Sequence, residues 1–220
     1  MNQPNIGADT IRIHRVITRG LDVAIERSQA YAQEGFPDAT TRTGFVCYVR
    51  SLVSVLDAHH LTEDELVFPY LQGKLPGAPY DLLTAQHRDM ERVLEKIKPE
   101  VDAVAADKRP GPALEALNSA LRSIADIWHP HIQLEEEHFS VDELAALIDV
   151  EEHVRLGQMF GKHGMEHMGP DYLVVPFVLY NLSTEDRAIM SQVMPPVVIQ
   201  QLVPIEWKEK WSPMLPFLLA

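Results

Sequence analysis

The stretches HHLTEDELVFP, residues 59–69, and HIQLEEEHF, residues 131–139, decide how this chain is read. Each carries a histidine followed four residues later by a glutamate: His59 with Glu63, and His131 with Glu135. On a helix of 3.6 residues per turn, a spacing of four stacks both side chains on one face. Each pair also has a solitary histidine upstream at nearly the same distance. His14 lies 45 residues before His59, and His87 lies 44 before His131. The repetition predicts two helical hairpins, each joining a helix with one inward histidine to a helix with a His/Glu pair.

The apolar pattern around these positions has the helical period. From about Ala8 to Glu34, residues Ile13, Val16, Ile17, Leu21 and Ala24 recur at helical intervals, and Gly35-Phe36-Pro37 ends the run. A polar link, DATTRTG (38–44), leads to a long second helix with Phe45, Val49, Leu52 and Leu56 inward, stopped between Gly73 and Pro79. A third helix is expected over Asp81 to Asp107, kinked or split at Pro99. The fourth follows Gly111-Pro112 and runs to about Ser140, with Pro130 as a second kink. No sustained alternation of period two occurs before residue 140. The expected fold class is therefore all-α, an up-down four-helix bundle over residues 8–140.

Residues 141–220 predict a helical C-terminal extension packed on the bundle. It should hold a helix over Asp142–Gly164, an apolar passage with Pro170 and Pro176, and a helix over Thr184–Val203 capped by Ser183. The end, WKEKWSPMLPFLLA (207–220), is aromatic and apolar without a clear period. Left alone, this region would expose a large apolar surface, so it should cover the bundle.

Charge and cysteine content remove several function classes. A formal charge of −13, from 32 Asp and Glu against 19 Lys and Arg, repels nucleic acid and anionic lipid. Neither nucleic acid nor membrane is an expected partner. Cys47 is the single cysteine, so an intrachain disulfide, a zinc–cysteine knuckle and a cysteine-held iron–sulfur cluster are all ruled out. The chain reads as cytoplasmic, because its N-terminal stretch lacks the basic and apolar segments of a secretory signal. The strongly apolar stretch from Tyr172 to Leu182 contains Pro176 and is too short to span a bilayer. Neither GxGxxG nor GxxxxGK[ST] occurs.

Imidazole suits iron, copper or zinc, and a carboxylate can bridge two cations while cancelling part of their charge. A bundle core is where such groups can meet. On these residues the chain resembles the hemerythrin-like HHE cation-binding family over roughly residues 8 to 140, and His14 and His87 match the solitary histidines of that family's first and third helices. The resemblance implies a metal site made of His14, His59, Glu63, His87, His131 and Glu135, with both glutamates bridging two non-heme iron ions. It also implies a difference from the family's oxygen carriers, which have His-x-x-x-His on the third helix and His-x-x-x-x-Asp on the fourth. Here Glu91 stands four residues after His87, and the fourth helix carries HxxxE. Members that repair iron–sulfur clusters share both HxxxE motifs, but many carry a histidine between the first two helices, whereas residues 15–58 contain none.

Other residues near the motifs receive quieter roles. His60 and His129 sit about 100° and 200° around their helices from the chosen ligands, so they are read as supporting or solvent-facing groups. Glu91 reads as a solvated helix residue, and Tyr48 as a core side chain with a satisfied hydroxyl. His163 and His167, one turn apart in HGMEH, would add metal ligands if the tail folds over the bundle mouth.

The expected cofactor is a pair of non-heme irons, although zinc or manganese would accept the same donors. The expected function is an oxidoreductase that binds or activates dioxygen, peroxide or another small diatomic ligand, with a small organic substrate as a further candidate. A non-catalytic protein for sensing, storing or scavenging oxygen, nitric oxide or iron is the alternative. The sequence leaves the oligomeric state open.

Overall fold

The computed structural model describes residues 3–106 and 111–219. Helix α1 spans Ile6–Glu34 and is capped by Asn5, whose side chain accepts from the backbone N–H groups of Gly7 and Ala8. It ends at Gly35, whose φ of 76° is a conformation that glycine adopts without steric cost. Helix α2 spans Ala39–Thr62 and continues through a π-helical turn, Glu63–Val67, into Phe68–Gln72. Helix α3 spans Tyr80–Ala106 and α4 spans Gly111–His138. The expected end of the third helix at Asp107 lies outside the described residues. Pro99 and Pro130 lie inside α3 and α4, and neither splits its helix.

The four helices form a closed square in which α1 and α3 each pack against both α2 and α4. Heptad-like inward residues explain the square, and no strand occurs among the described residues. One boundary differs from the expectation. The polar stretch 38–44 opens α2 and is not a link, because Asp38 caps the helix by accepting from Thr41 N–H, and Thr43 Oγ1 donates to the Ala39 carbonyl. Its outer residues face solvent, so a polar composition is compatible with helix there.

The tail is more broken than its periodicity implied. The helix expected over 142–164 is two helices, α5 (Val141–Leu147) and α6 (Val150–His167), each with its own cap. Ser140 accepts from Glu143 N–H and Asp149 from Glu152 N–H. The apolar passage is helix α7 (Asp171–Asn181), buried over most of its circumference. The helix expected over 184–203 stops at Val193, since Pro195 and Pro196 cannot supply N–H groups to continue it. This α8 (Thr184–Val193) does start at the Ser183 cap, which accepts from Asp186 N–H. A π-helical segment, Val198–Glu206, a short α9 (Lys208–Trp211) and a 3-10 turn over Ser212–Phe217 complete the chain. No single helix among the described residues is long and apolar enough to cross a membrane.

Tail and bundle share one core. Phe177 of α7 and Phe217 of the last turn pack with Phe45, Tyr48, Leu52 and Leu56 of α2. Gly44 permits the closest approach, because a Cβ there would overlap the Pro213 carbonyl. A polar clamp adds specificity: buried Arg12 of α1 bonds Asp186 of α8 at 3.2 Å, and Tyr48 Oη donates to Asn181 Oδ1 at 2.9 Å. A second apolar cluster, including Ile6, Phe68, Leu83, Phe139, Leu144 and Leu156, closes one end of the bundle under α5 and α6. The His/Glu motifs lie in the layer between the two clusters.

Candidate metal centre

All four bundle helices aim side chains into this layer. α1 supplies His14, α2 supplies His59, His60 and Glu63, α3 supplies His87, and α4 supplies His131 and Glu135. His14, His131 and Glu135 are at most 1% exposed, and His87 and Glu63 are 3% and 2% exposed. Trp128 lies edge-on to His14 and His59, with its Nε1 donating to Thr18 Oγ1, and so seals the layer from the main core.

The contacts divide the groups into two halves. In one, His14, His59, Glu63 and Glu135 each offer an atom within 4.8 Å of the others. In the other, His60, His87 and His131 do the same. Both glutamates span the division. Glu63 places Oε1 3.3 Å from His59 Nε2 and Oε2 3.5 Å from His87 Nε2. Glu135 Oε2 lies 3.1 Å from His14 Nε2 and 3.7 Å from His131 Nε2.

The outer nitrogens fix what the inner ones present. His14 Nδ1 lies 2.8 Å from Glu136, and His87 Nδ1 lies 3.0 Å from Asp64. A carboxylate only accepts, so each Nδ1 carries a proton and each ring turns Nε2 inward. His131 Nδ1 is held in the same way by Gln86 Oε1 at 3.0 Å. The consequence is a set of acceptors facing acceptors: His14 Nε2 against Glu135, and His87 Nε2 against His131 Nε2 at 3.1 Å. Each facing pair needs a proton or a cation between its lone pairs. Buried Nε2 of His59 and His60, and Oε2 of Glu63, also lack a hydrogen-bond partner. Donor type, burial and convergence thus fit a pair of cations.

The electrostatics agree. Burial pushes the His59 and His60 imidazoles well below their ordinary value and His131 down to about 4, which keeps these lone pairs free at neutral pH. Burial, reinforced by the neighbouring Glu135 charge, pushes Glu63 well above the usual carboxylate range. Burial opposes ionisation of both His14 and Glu135, but their mutual hydrogen bond and opposite charges outweigh it, raising His14 and lowering Glu135.

The six residues singled out from sequence are therefore brought together in one layer. His163 and His167 are not among them. His163 Nδ1 lies 3.0 Å from Thr62 Oγ1 and its Nε2 3.0 Å from Glu65, while His167 Nδ1 bonds the His163 carbonyl. α6 does fold beside the bundle mouth, but these histidines fasten it to the outside of the π-helical turn. His129 and Glu91 are exposed, and Tyr48 is a core side chain. His60 is not solvent-facing: it is 6% exposed and stacks on His87 with ring centroids 4.1 Å apart, in keeping with its other reading, a supporting group. A layer wide enough for two groups of side chains meets adjacent positions of α2.

Asp64 and Glu136 were also missed as partners of specific histidines. Their signal is the acid directly after each motif glutamate, Glu63-Asp64 and Glu135-Glu136. Each such acid holds the solitary histidine of the other hairpin.

The layer has one small cavity beside it, with about 20 Å³ of room, lined by His14, Glu63 and Glu135 on one side. Ile11, Leu144 and Phe160 are among the apolar residues on the other, the last two from the tail.

A family model, the Hemerythrin HHE cation binding domain, matches residues 10–140. No curated protein and no solved structure matches the chain.

Proposed function

This chain belongs to the hemerythrin HHE cation-binding family, and on that premise we propose that it is a non-heme di-iron oxidoreductase acting on dioxygen, peroxide or nitric oxide. The observation that carries the reading is the cavity. Its enclosed room is close to that of a single water, which suits a diatomic or peroxide. It touches the layer at Glu63 and Glu135, the two groups that reach both halves.

An iron pair would supply the electron-transfer chemistry that no side chain here possesses. The protein's part is to hold it and control access. His14, His59, Glu63, His87, His131 and Glu135 would hold the ions, and Asp64, Glu136 and Gln86 fix the rings that point at them. Leu144 and Phe160 give the cavity an apolar wall, while half-exposed Glu136 at its rim offers an acceptor for protons passing to solvent.

Anaerobic reconstitution with ferrous iron tests the first part, with about two irons per chain expected. Replacing Glu63 or Glu135 with Ala should lower that content. Exposure of the loaded protein to oxygen, peroxide or nitric oxide then tests the second. Many rapid turnovers support an oxidoreductase, whereas a reversible adduct without turnover favours a sensor, store or scavenger. A chain that takes up no iron under these conditions would overturn the reading altogether.

A further inference from the structure

We infer that His60 is an additional metal ligand, giving the centre one half built on the imidazoles of His60, His87 and His131 and another built on His14, His59, Glu63 and Glu135. The inference deepens the di-iron reading and rests on it.

Aligning HHLTED (59–64) with HIQLEE (131–136) pairs His59 with His131, Glu63 with Glu135 and Asp64 with Glu136. The contacts keep that symmetry, since Asp64 holds His87 and Glu136 holds His14. Position 60 breaks it. Its counterpart is Ile132, a half-buried apolar residue packed against the main core. The fold therefore accepts a hydrocarbon at this register, and a buried imidazole at residue 60 calls for another reason.

The local environment supplies one. His60 is buried, yet its Nε2 has no hydrogen-bond partner. An imidazole used only for packing would leave a polar nitrogen desolvated without return. Its ring lies against His87 at 4.1 Å and edge-on to His131 at 5.8 Å, and all three offer a nitrogen within 4.8 Å of the others. Adjacent residues on a helix diverge by about 100°, so His59 and His60 can each address one half of a centre that has two. His60 thereby makes the halves chemically unequal, one richer in neutral nitrogen donors and the other in carboxylate.

The test uses the full chain loaded anaerobically with iron-57. Two variants separate donation from packing: His60→Ala, and His60→Phe, which keeps a ring against His87 and Trp128 without a nitrogen. The wild type should show two inequivalent iron environments by Mössbauer spectroscopy. Both variants should lose one environment, with iron content falling about twofold, and added imidazole should restore it in His60→Ala. Circular dichroism checks that the variants are folded. A readout on the unaltered chain covers the case in which they are not: cobalt-loaded protein should give hyperfine-shifted imidazole N–H resonances from five histidines (His14, His59, His60, His87 and His131), not four. Unchanged iron content and spectra in both variants, or four shifted resonances, would make His60 a stacking residue only. Failure of the wild type to take up metal would instead remove the di-iron reading beneath the inference.

Discussion

Glu63 and Glu135 are the same side chain at matched positions of a repeated motif, yet their surroundings drive them in opposite directions. Glu63 is pushed up by burial and by the Glu135 charge, whereas Glu135 is drawn down because His14 bonds and charges against it more strongly than burial resists. His14 rises correspondingly. The metal-free cluster thus holds protons more readily at Glu63 and His14, and less readily at His59, His60 and His131. A cation must displace those protons, so metal uptake should release them and should weaken as pH falls. The sign follows from which form binds: both raised groups bind metal only after losing the proton, so lower pH favours the competitor. A pH-stat titration with zinc or ferrous iron near neutrality should record net release, and Glu63→Gln should reduce it by about one proton per chain. Release unchanged in that variant would show that Glu63 is already ionised. The lowered imidazoles give a separate stability effect in the metal-free protein. For His131, depressed from an ordinary 6.5 to about 4, stability is complete above the ordinary value and is lost as pH falls toward the depressed one. Thermal melts of stripped protein should therefore decline through that window.

Among the elements, α2 does the most, and its ends explain both what the sequence disclosed and what it hid. Its last turn gives two consecutive histidines and then widens into the π-helical turn Glu63–Val67, a form of helix often found at functional sites. Thr62 and Glu65 on either side of Glu63 are both tied to His163 of α6, so the tail steadies the turn that carries a spanning carboxylate. At the other end Gly44 lies under Pro213. Gly44→Val would force this backbone contact apart, and the melting temperature should fall by the equivalent of roughly 1–3 kcal/mol, with faster proteolysis of the last turn. An unchanged melt and digest would mean that the tail docks without this approach. The four bundle helices were legible because each buries one face, and a one-sided pattern has a period to read. α7 was not, because Leu173 to Leu179 are buried all round and leave no polar face to set a phase. The breaks at Asp149 and at Pro195-Pro196 were passed over where apolar spacing continued across them. At the site, the motif pairs were legible from their duplication. The grouping of His60 with His87 and His131 was not, since it depends on how three helices pack.

At the scale of the whole molecule, the metal layer and the tail make different demands on stability. The main core joins α7 and the last turn to all four bundle helices through residues such as Leu21, Phe45, Leu52, Leu121, Phe177 and Phe217. None of these contacts passes through the His/Glu layer, and the end cluster of Phe68, Leu83, Phe139 and Leu156 closes without it too. Apolar burial at roughly 25 cal/mol per Å² therefore holds the fold whether or not the layer is loaded. Removing the metal leaves facing acceptors to be reconciled by protons, a local cost. Removing residues beyond Ser140 strips α2 of Phe177 and Phe217, unpairs Arg12 from Asp186 and opens the cavity wall at Leu144 and Phe160. The expected ranking is that chelation lowers the melting temperature but preserves the helical far-ultraviolet spectrum, while ending the chain at Ser140 yields aggregated or loosely packed protein that binds a dye for exposed apolar surface. If chelation alone unfolds the chain, the metal is a structural staple and the small cavity beside it loses its meaning as a reaction site.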